Sequence, residues 1–202
     1  MQKHSSRNTS INTKHLPAVY GKVNWSKYTN KVDDYYVVDI GCGKMETQQL
    51  IHWYLKKHKI QHFIPYDPYQ FNLVTMESAK NIISDNSINK VVICSNVLNV
   101  IDNDRSLREL IAYLCDTIVY TTTEPEGIYH MNPCYITVYD GDKNGIGRET
   151  KPDCWQRNER LKSYLPMFND YVKKKYGHNS DFFKIKYGMI VGINQYRSKW
   201  GV

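Results

Sequence analysis

Val37-Val38-Asp39-Ile40-Gly41-Cys42-Gly43-Lys44 is the stretch of the 202-residue sequence that decides its fold. The first half is a short, β-rich apolar run and the second half is a Gly-x-Gly turn, which together predict a buried strand and a tight turn. Residues 45–58 then place apolar side chains at helical spacing. Glycines are needed at such a turn because a side chain would keep a ligand away from the backbone. The stretch therefore predicts a strand, a turn and a helix, with a ligand site at the turn.

Strands and helices alternate over the rest of the chain. Asp102 or Asp104 is expected to cap a helix that carries apolar residues of 107–114 inward at i, i+3, i+4 and i+7. The alternation predicts an α/β fold with a central, mostly parallel sheet flanked by helices and joined by right-handed crossovers. The predicted strands after the first are residues 61–67, 81–83, 90–95, 116–122 and 135–139.

The two ends of the chain differ from this regular middle. Residues 1–33 are polar and poorly periodic, so we expect an N-terminal arm, followed by one domain over 34–202 with a substrate-side insertion around 124–160. The arm is expected to dock onto the body, either as a packing strap or as a cover over a ligand. Near the other end, residues 154–175 predict a helix kinked or divided at Pro166. Two closing strands are predicted around Gly188.

Composition restricts the classes of partner. The net charge of +7 and the pI near 9.0 favour an anionic partner such as nucleic acid, although a charge spread over the surface for solubility is the alternative. No apolar run is long enough to span a bilayer, so a soluble, cytoplasmic protein is expected. The five cysteines form no Cys-x-x-Cys pair and there is no His-Glu-x-x-His, so no disulfide and no metal are predicted. The oligomeric state is left open.

Two acidic residues narrow the kind of ligand. Glu46 stands where a dinucleotide fingerprint would have its third glycine, and its carboxylate disfavours a pyrophosphate. NAD and FAD are therefore disfavoured as ligands. Asp67 ends the second predicted strand 24 residues after Gly43, near the spacing of an acid that binds a ribose. Its two acceptor oxygens suit two ribose hydroxyls. The alternative is that Asp67-Pro68 only forms a turn.

The glycine stretch resembles motif I of the class I S-adenosylmethionine-dependent methyltransferases, in which an acidic residue precedes a Gly-x-Gly turn. The resemblance implies a Rossmann-like domain with S-adenosylmethionine as cofactor. It implies that Asp39 orients the methionine amino group, that Gly41 and Gly43 let the cofactor lie on the loop, and that Asp67 holds the ribose. The complete set of residues expected to bind the cofactor is Asp39, Gly41, Gly43, Asp67, Pro68, Ser95 and Asn96.

The residues that follow the predicted strand 90–95 bear on the identity of the methyl acceptor. Enzymes that methylate base amino groups commonly carry Asn/Asp-Pro-Pro-Tyr/Phe at this point, whereas here Asn96 is followed by Val97 and Leu98. Asn96 is the candidate catalytic residue, and the alternative is that Asn96 and Asn99 tie loops by hydrogen bonding. Over residues 35–120 the chain is similar to bacterial and phage methyltransferases, some of them associated with DNA modification. A phage-encoded protein would act in the host cytoplasm.

Downstream, a basic Gly-rich loop leads to an aromatic residue and two amides, a combination that can hold a phosphate and stack a base. The alternative is that Trp155 anchors a helix to the core and that Arg157 and Arg160 form its solvated face. The sequence thus predicts a methyltransferase acting on nucleic acid, DNA ahead of RNA. A small-molecule methyltransferase and a cofactor-binding module without catalysis remain the rivals, with a dehydrogenase behind them. The candidate substrate contacts are Tyr139, Arg148, Lys151, Trp155, Gln156 and Arg157.

Overall fold

The computed structural model describes residues 15–29, 34–43, 45–67, 73–121, 129–139, 143–151, 154–177 and 179–193. Pro68, one of the predicted cofactor contacts, lies outside these ranges. So do parts of the predicted arm and of the predicted insertion. For Lys151, a predicted substrate contact, the backbone alone is described.

Ten strands and five α-helices alternate along the described chain, with short 3-10 turns at Trp25–Tyr28 and Leu98–Val100. The helices are α1 (Ala18–Lys22), α2 (Met45–Lys57), α3 (Leu73–Ser84), α4 (Asp104–Ile118) and α5 (Leu161–Tyr176). The strands are β1 (Tyr36–Ile40), β2 (His62–Tyr66), β3 (Lys90–Ser95), β4 (Val119–Thr121), β5 (Tyr129–Met131), β6 (Cys134–Thr137), β7 (Arg148–Lys151), β8 (Cys154–Gln156), β9 (Phe183–Lys186) and β10 (Met189–Gly192).

Six of the strands form a central sheet in the order β2-β1-β3-β6-β10-β9. The first four are parallel, and β10 is antiparallel to both β6 and β9. The prediction of an α/β fold with a mostly parallel sheet flanked by helices is confirmed at this level. The predicted strands at 61–67, 90–95 and 135–139 are β2, β3 and β6, and the two predicted closing strands are β9 and β10.

Both faces of the sheet are covered, which explains why β1 is apolar on both sides. Val38 and Ile40 pack with α4, α5 and Ile83 of α3, and we call this side the helix face. Val37 packs on the opposite side with α1, the Trp25–Tyr28 turn and α2, and we call this side the arm face. A parallel sheet buried on both faces needs such continuous apolar strands.

Residues 15–29 belong to the packed body of the protein. Val19, Tyr20, Val23, Trp25 and Tyr28 are all buried against the arm face of the sheet. The Tyr28 hydroxyl lies 2.6 Å from the Tyr135 hydroxyl of β6. This part of the chain docks onto the sheet, as its apolar residues predict.

The middle of the chain differs from prediction at three places. Residues 81–83 are not a strand but the end of α3, and residues 116–118 are the end of α4. The strand that follows, β4, pairs with β5 outside the central sheet. The cap of α4 is Asn103 rather than Asp102 or Asp104, because its side chain accepts a hydrogen bond from the Ser106 backbone N–H at 2.8 Å.

The prediction of a helix over 154–175 was wrong at its beginning. Residues 154–156 form β8, which pairs antiparallel with β7, and α5 begins only at Leu161. Pro166 lies inside α5 without dividing it, and Gly177 ends the helix at a φ of 63°. Residues 154–156 pair with the strand 148–151, so their backbone hydrogen bonds are made across the hairpin and not along a helix.

The two edges of the sheet carry residues that weaken strand pairing. On one edge, β2 contains Pro65 in its interior. On the other edge, β9 exposes Lys184 and Lys186. Within the described ranges, no helix is long and apolar enough to cross a membrane.

Candidate functional site

The carboxyl ends of β1 and β3 meet where the strand order of the sheet reverses. β1 lies between β2 and β3, and α2, which follows β1, packs on the arm face. α4, which follows β3, packs on the helix face. Open α/β sheets bind ligands in the crevice outside the strand ends at which two connections leave in opposite directions. We call this position, at the carboxyl ends of β1 and β3, the crevice.

Asp39 is the buried carboxylate at this crevice. It is 2% exposed, and it is level with Pro65 of β2 and Ile93 of β3. Its Oδ2 accepts a hydrogen bond of 2.6 Å from the Tyr20 hydroxyl, whereas Oδ1 has no partner among the described residues. The pKa of Asp39 is raised to about 7, mainly by burial and also by the nearby Asp67 carboxylate, while the Tyr20 hydrogen bond acts to lower it. A buried carboxylate with an unpaired oxygen favours a cationic partner.

The two glycines of the turn are required for different reasons. Both have positive φ values, +79° at Gly41 and +76° at Gly43, which a residue with a Cβ rarely adopts. A Cβ on Gly41 would lie 2.3 Å from Cγ2 of Val97, so this glycine makes room for the loop after β3. A Cβ on Gly43 would have no atom within 4 Å. The open space of the turn is therefore beside Gly43.

Hydrogen bonds hold the turn in place. The Gly43 N–H donates to Asp67 Oδ2 at 3.0 Å, and the Gln48 side chain donates to the Gly43 carbonyl at 2.6 Å. The hydroxyl of Thr47, in the first turn of α2, is buried and has no hydrogen-bond partner in the described part of the chain. The structure thus brings Asp39, Gly43 and Asp67 together at one end of the sheet.

Ser95 and Asn96 lie at the carboxyl end of β3, at the same end of the sheet as the glycine turn. The Ser95 hydroxyl lies 3.2 Å from the Thr137 hydroxyl, and the Asn96 N–H donates to the Thr137 carbonyl at 2.9 Å. Asn96 has a φ of +62° and is exposed. Asparagine tolerates this left-handed conformation, so Asn96 turns the backbone at the crevice.

Asn99 ties loops together. Its amide donates to the carbonyls of Tyr139 and Glu159, and its carbonyl oxygen accepts from the Glu159 N–H and the Tyr164 hydroxyl. It is 1% exposed. All four hydrogen bonds of this side chain are used within the fold, which is the loop-tying role that the sequence left open for it.

The predicted substrate contacts separate into internal and exposed side chains. Arg157 is 11% exposed, because its Nε donates to the Ile101 carbonyl at 2.6 Å and its Nη2 pairs with Asp104 at 2.7 Å. The Gln156 side chain donates to the Tyr139 carbonyl at 3.1 Å. The Trp155 indole packs on Gly147, where a Cβ would lie 2.4 Å from the ring. The exposed members of the set are Tyr139, 68% exposed, and Arg148.

Three residues of the site were not found from the sequence. Tyr20 contacts Asp39 from the N-terminal segment, 19 residues earlier, and Gln48 reaches the Gly43 carbonyl from α2. Thr47, also in the first turn of α2, has a buried hydroxyl without a hydrogen-bond partner among the described residues. A tyrosine, a threonine and a glutamine carry no spacing signal of their own, so the sequence offered only the polar character of Thr47-Gln48 just after the turn.

The described residues contain no group of three or more His, Cys, Asp or Glu side chains placed to hold a metal ion. Comparisons of the chain with family models, with curated proteins and with solved structures found no match. The site therefore has to be interpreted from its own chemistry.

Proposed function

We propose that the protein is an S-adenosylmethionine-dependent methyltransferase that acts on nucleic acid, DNA ahead of RNA. The observation that carries the proposal is the buried Asp39 carboxylate at the reversal of the strand order, whose Oδ1 has no hydrogen-bond partner among the described residues and which leads into the turn with the uncrowded Gly43. The bound cofactor would supply a methyl group that is already activated as a sulfonium.

The residues at the crevice fit a cationic amino-acid nucleoside. Oδ1 of Asp39 suits an ammonium group, and the space at Gly43 allows close approach to the backbone. Asp67 adds a second carboxylate at the same turn, in the place of an acid that binds ribose hydroxyls. Glu46, which stands where a dinucleotide fingerprint would have its third glycine, disfavours a pyrophosphate at this turn and argues against a dinucleotide.

The methyl acceptor would approach the carboxyl ends of the same strands. Methyl transfer from an activated donor depends mainly on alignment, so it needs little acid–base chemistry from the protein. Asn96 is the proposed catalytic residue, because it is exposed at the end of β3, beside the crevice. Ser95 and Tyr139 flank this position at the ends of β3 and β6.

A basic surface on the arm face supports nucleic acid as the acceptor. Lys184 and Lys186 pair in register with Val191 and Met189 of β10, and Met189 packs on the arm face. The Lys22 ammonium group lies 3.5 Å from the Tyr187 carbonyl. None of the three lysines has an ion-pair partner among the residues that the structure describes.

Tyr187 gives this basic surface an aromatic element. It is 76% exposed, and the Lys186 Nζ lies 5.0 Å from its ring. Since β9 is parallel to β1, the turn after β9 lies at the same end of the strands as the Asp39 crevice. Lysines around an exposed aromatic ring suit a phosphate backbone with a stacked base.

The cofactor is tested by titrating the protein with S-adenosylmethionine in a calorimeter. We expect micromolar binding by the unaltered protein and a loss of about 10- to 100-fold in Asp39→Asn, which keeps the shape and removes the charge. Asp181→Asn is the matched control, because Asp181 is an exposed acid paired with Lys173 away from the crevice. Absence of binding by the unaltered protein would remove the proposal.

The acceptor is tested by the salt dependence of binding to DNA and RNA. Replacing Lys22, Lys184 and Lys186 by alanine should reduce the slope of log K against log salt by about 2–3 for duplex DNA. The control replaces Lys56, Lys80 and Lys162, which are exposed on α2, α3 and α5. Cofactor binding without any salt-dependent nucleic-acid binding would favour a small-molecule acceptor, and cofactor binding without turnover would favour an interaction module.

A further inference from the structure

The hydrogen bond that Asp39 accepts comes from outside the sheet. Tyr20 lies on α1 of the N-terminal segment, and its hydroxyl donates to Oδ2 at 2.6 Å. Tyr20 is 0% exposed and Asp39 is 2% exposed, so water does not replace this bond in the folded protein. The bond occupies one carboxylate oxygen and leaves the other, Oδ1, buried and without a hydrogen-bond partner among the described residues.

Tyr20 is itself held on several sides. Its ring is stacked on Trp25 at 5.9 Å and meets Tyr54 edge-on at 6.4 Å. Its backbone carbonyl accepts hydrogen bonds from the Trp25 indole N–H at 2.9 Å and from the Tyr54 hydroxyl at 3.3 Å. The donor is therefore fixed before any ligand arrives, which is what a positioning residue requires.

Four titratable groups face Asp39 from the elements packed around it: Tyr20 of α1, Cys42 of the turn, Asp67 after β2 and Cys94 of β3. Burial raises the pKa of Tyr20, Cys42 and Cys94, so all three stay neutral. The Asp67 carboxylate raises the pKa of Asp39, and the Tyr20 hydrogen bond lowers it. Tyr20 is thus the group that counters both burial and Asp67.

We infer that Tyr20 is a positioning residue for the proposed cofactor, because its hydroxyl occupies Oδ2 of Asp39 and leaves Oδ1 as the unpaired acceptor for the ammonium group of the ligand. The inference rests on the proposed function, since it requires a cationic ligand at Asp39. It also gives residues 15–29 a part in ligand binding that their packing alone would not require.

The test is the pH profile of S-adenosylmethionine binding by Tyr20→Phe, which keeps the ring and removes the hydroxyl. Affinity of the unaltered protein should rise with pH through about 7, as Asp39 loses its proton. In Tyr20→Phe the midpoint should move upward by about one to two pH units, because the carboxylate has lost a charge-assisted hydrogen bond. Once the Asp39 carboxylate is ionised in both proteins, their affinities should differ least.

Tyr54→Phe is the matched control. It removes a hydroxyl from the same aromatic cluster that donates to the Tyr20 carbonyl and not to Asp39, so the midpoint should stay where it is. When Asp39 is replaced by Asn, the pH dependence that Asp39 produces is absent, so adding Tyr20→Phe should leave the pH profile of binding unchanged. A loss of affinity that is equal at every pH would show a structural role only and would overturn the inference.

A second variant covers the case in which Tyr20→Phe does not fold. 3-Fluorotyrosine at position 20 keeps the hydroxyl and makes it a stronger donor, so the midpoint should move to lower pH; an unchanged midpoint would overturn the inference. If the unaltered protein binds and both variants share its profile, the inference fails and the proposed function stands. If the unaltered protein does not bind at any pH, both fail.

Discussion

Gly41 and Gly43 differ in what surrounds them, and this difference predicts different effects of the same substitution. In Gly43→Ala the new methyl group enters open space, so the change in the free energy of unfolding comes from the positive φ alone and is roughly 1–2 kcal/mol. In Gly41→Ala the methyl group also meets Val97 at 2.3 Å, and relieving that overlap adds about 1–3 kcal/mol. Gly41→Ala should therefore be the more destabilising by the size of the overlap.

The assay is equilibrium urea unfolding of both variants and of Val97→Ala with and without Gly41→Ala. Val97→Ala removes Cγ2 and Cγ1, at 2.3 and 3.2 Å from the new Cβ, and leaves only Val97 Cβ at 3.3 Å, so Gly41→Ala should then cost only slightly more than Gly43→Ala. The coupling free energy of the cycle should be about 1–3 kcal/mol. Equal costs for the two glycine variants, or zero coupling with Val97, would refute the steric explanation.

Ligand binding should separate the two glycines in the opposite order. Because Gly43 borders the open space where the cofactor is proposed to lie, Gly43→Ala should lose at least about 10-fold in affinity for S-adenosylmethionine, a loss of about 1.4 kcal/mol. The correctly folded fraction of Gly41→Ala should keep an affinity for S-adenosylmethionine closer to that of the unaltered protein. Full affinity in Gly43→Ala would place the ligand elsewhere.

The remaining predictions concern Asp39, Asn96, Asn99 and Arg157. The folded protein raises the pKa of Asp39 from 3.8 to about 7, so the stability linked to its proton is present below pH 4 and lost as the pH rises through 7. Asp39→Asn should therefore be more stable than the unaltered protein at pH 8, by roughly 2–4 kcal/mol, and the difference should vanish near pH 4 in urea titrations; a difference that is constant with pH would contradict this. Asn99→Ala should cost roughly 2–4 kcal/mol in the same assay, since it leaves buried partners unpaired, and a cost near zero would mean that water replaces the side chain. Asn96→Gly should stay within about 0.5 kcal/mol, because glycine accepts its φ of +62°; if methyl transfer is nevertheless lost, the side chain and not the turn is what catalysis needs. Arg157→Lys should cost about 1–3 kcal/mol, because one ammonium group does not reproduce the bonds to both Ile101 and Asp104, and an unchanged unfolding midpoint would show that the guanidinium is dispensable.

Local signals predicted the parts of the fold that depend on neighbours in sequence. The strand, glycine turn and helix around Asp39 follow from a β-rich run, two glycines and helical spacing within about 20 residues. The short run at 81–83 shows the limit of such signals. Its two isoleucines suit a strand as well as a helix, and α3 includes them because the preceding residues continue the helix.

Long-range pairing accounts for what the sequence did not reveal. Residues 154–156 form a strand by pairing with 148–151, and Arg157 is largely buried because its guanidinium bonds to the Ile101 carbonyl and to Asp104, 56 and 53 residues away. The candidate site shows the same division. Gly43 was predicted from the Gly-x-Gly turn, Asp67 from its spacing, and Asp39 from the resemblance to motif I. The donor of the Asp39 hydrogen bond depends instead on how the N-terminal segment packs on the arm face of the sheet.

The two edges of the central sheet set a limit on its growth. The Gly41 N–H donates to the Tyr66 carbonyl, so Pro65, the preceding residue, turns its backbone to the open side, where a new strand would find no N–H donor. At the opposite edge, an incoming chain would have to cover the ammonium groups of Lys184 and Lys186. Neither edge favours a seventh strand from another molecule, and the sheet is protected at both ends against the edge-to-edge stacking from which fibrils grow.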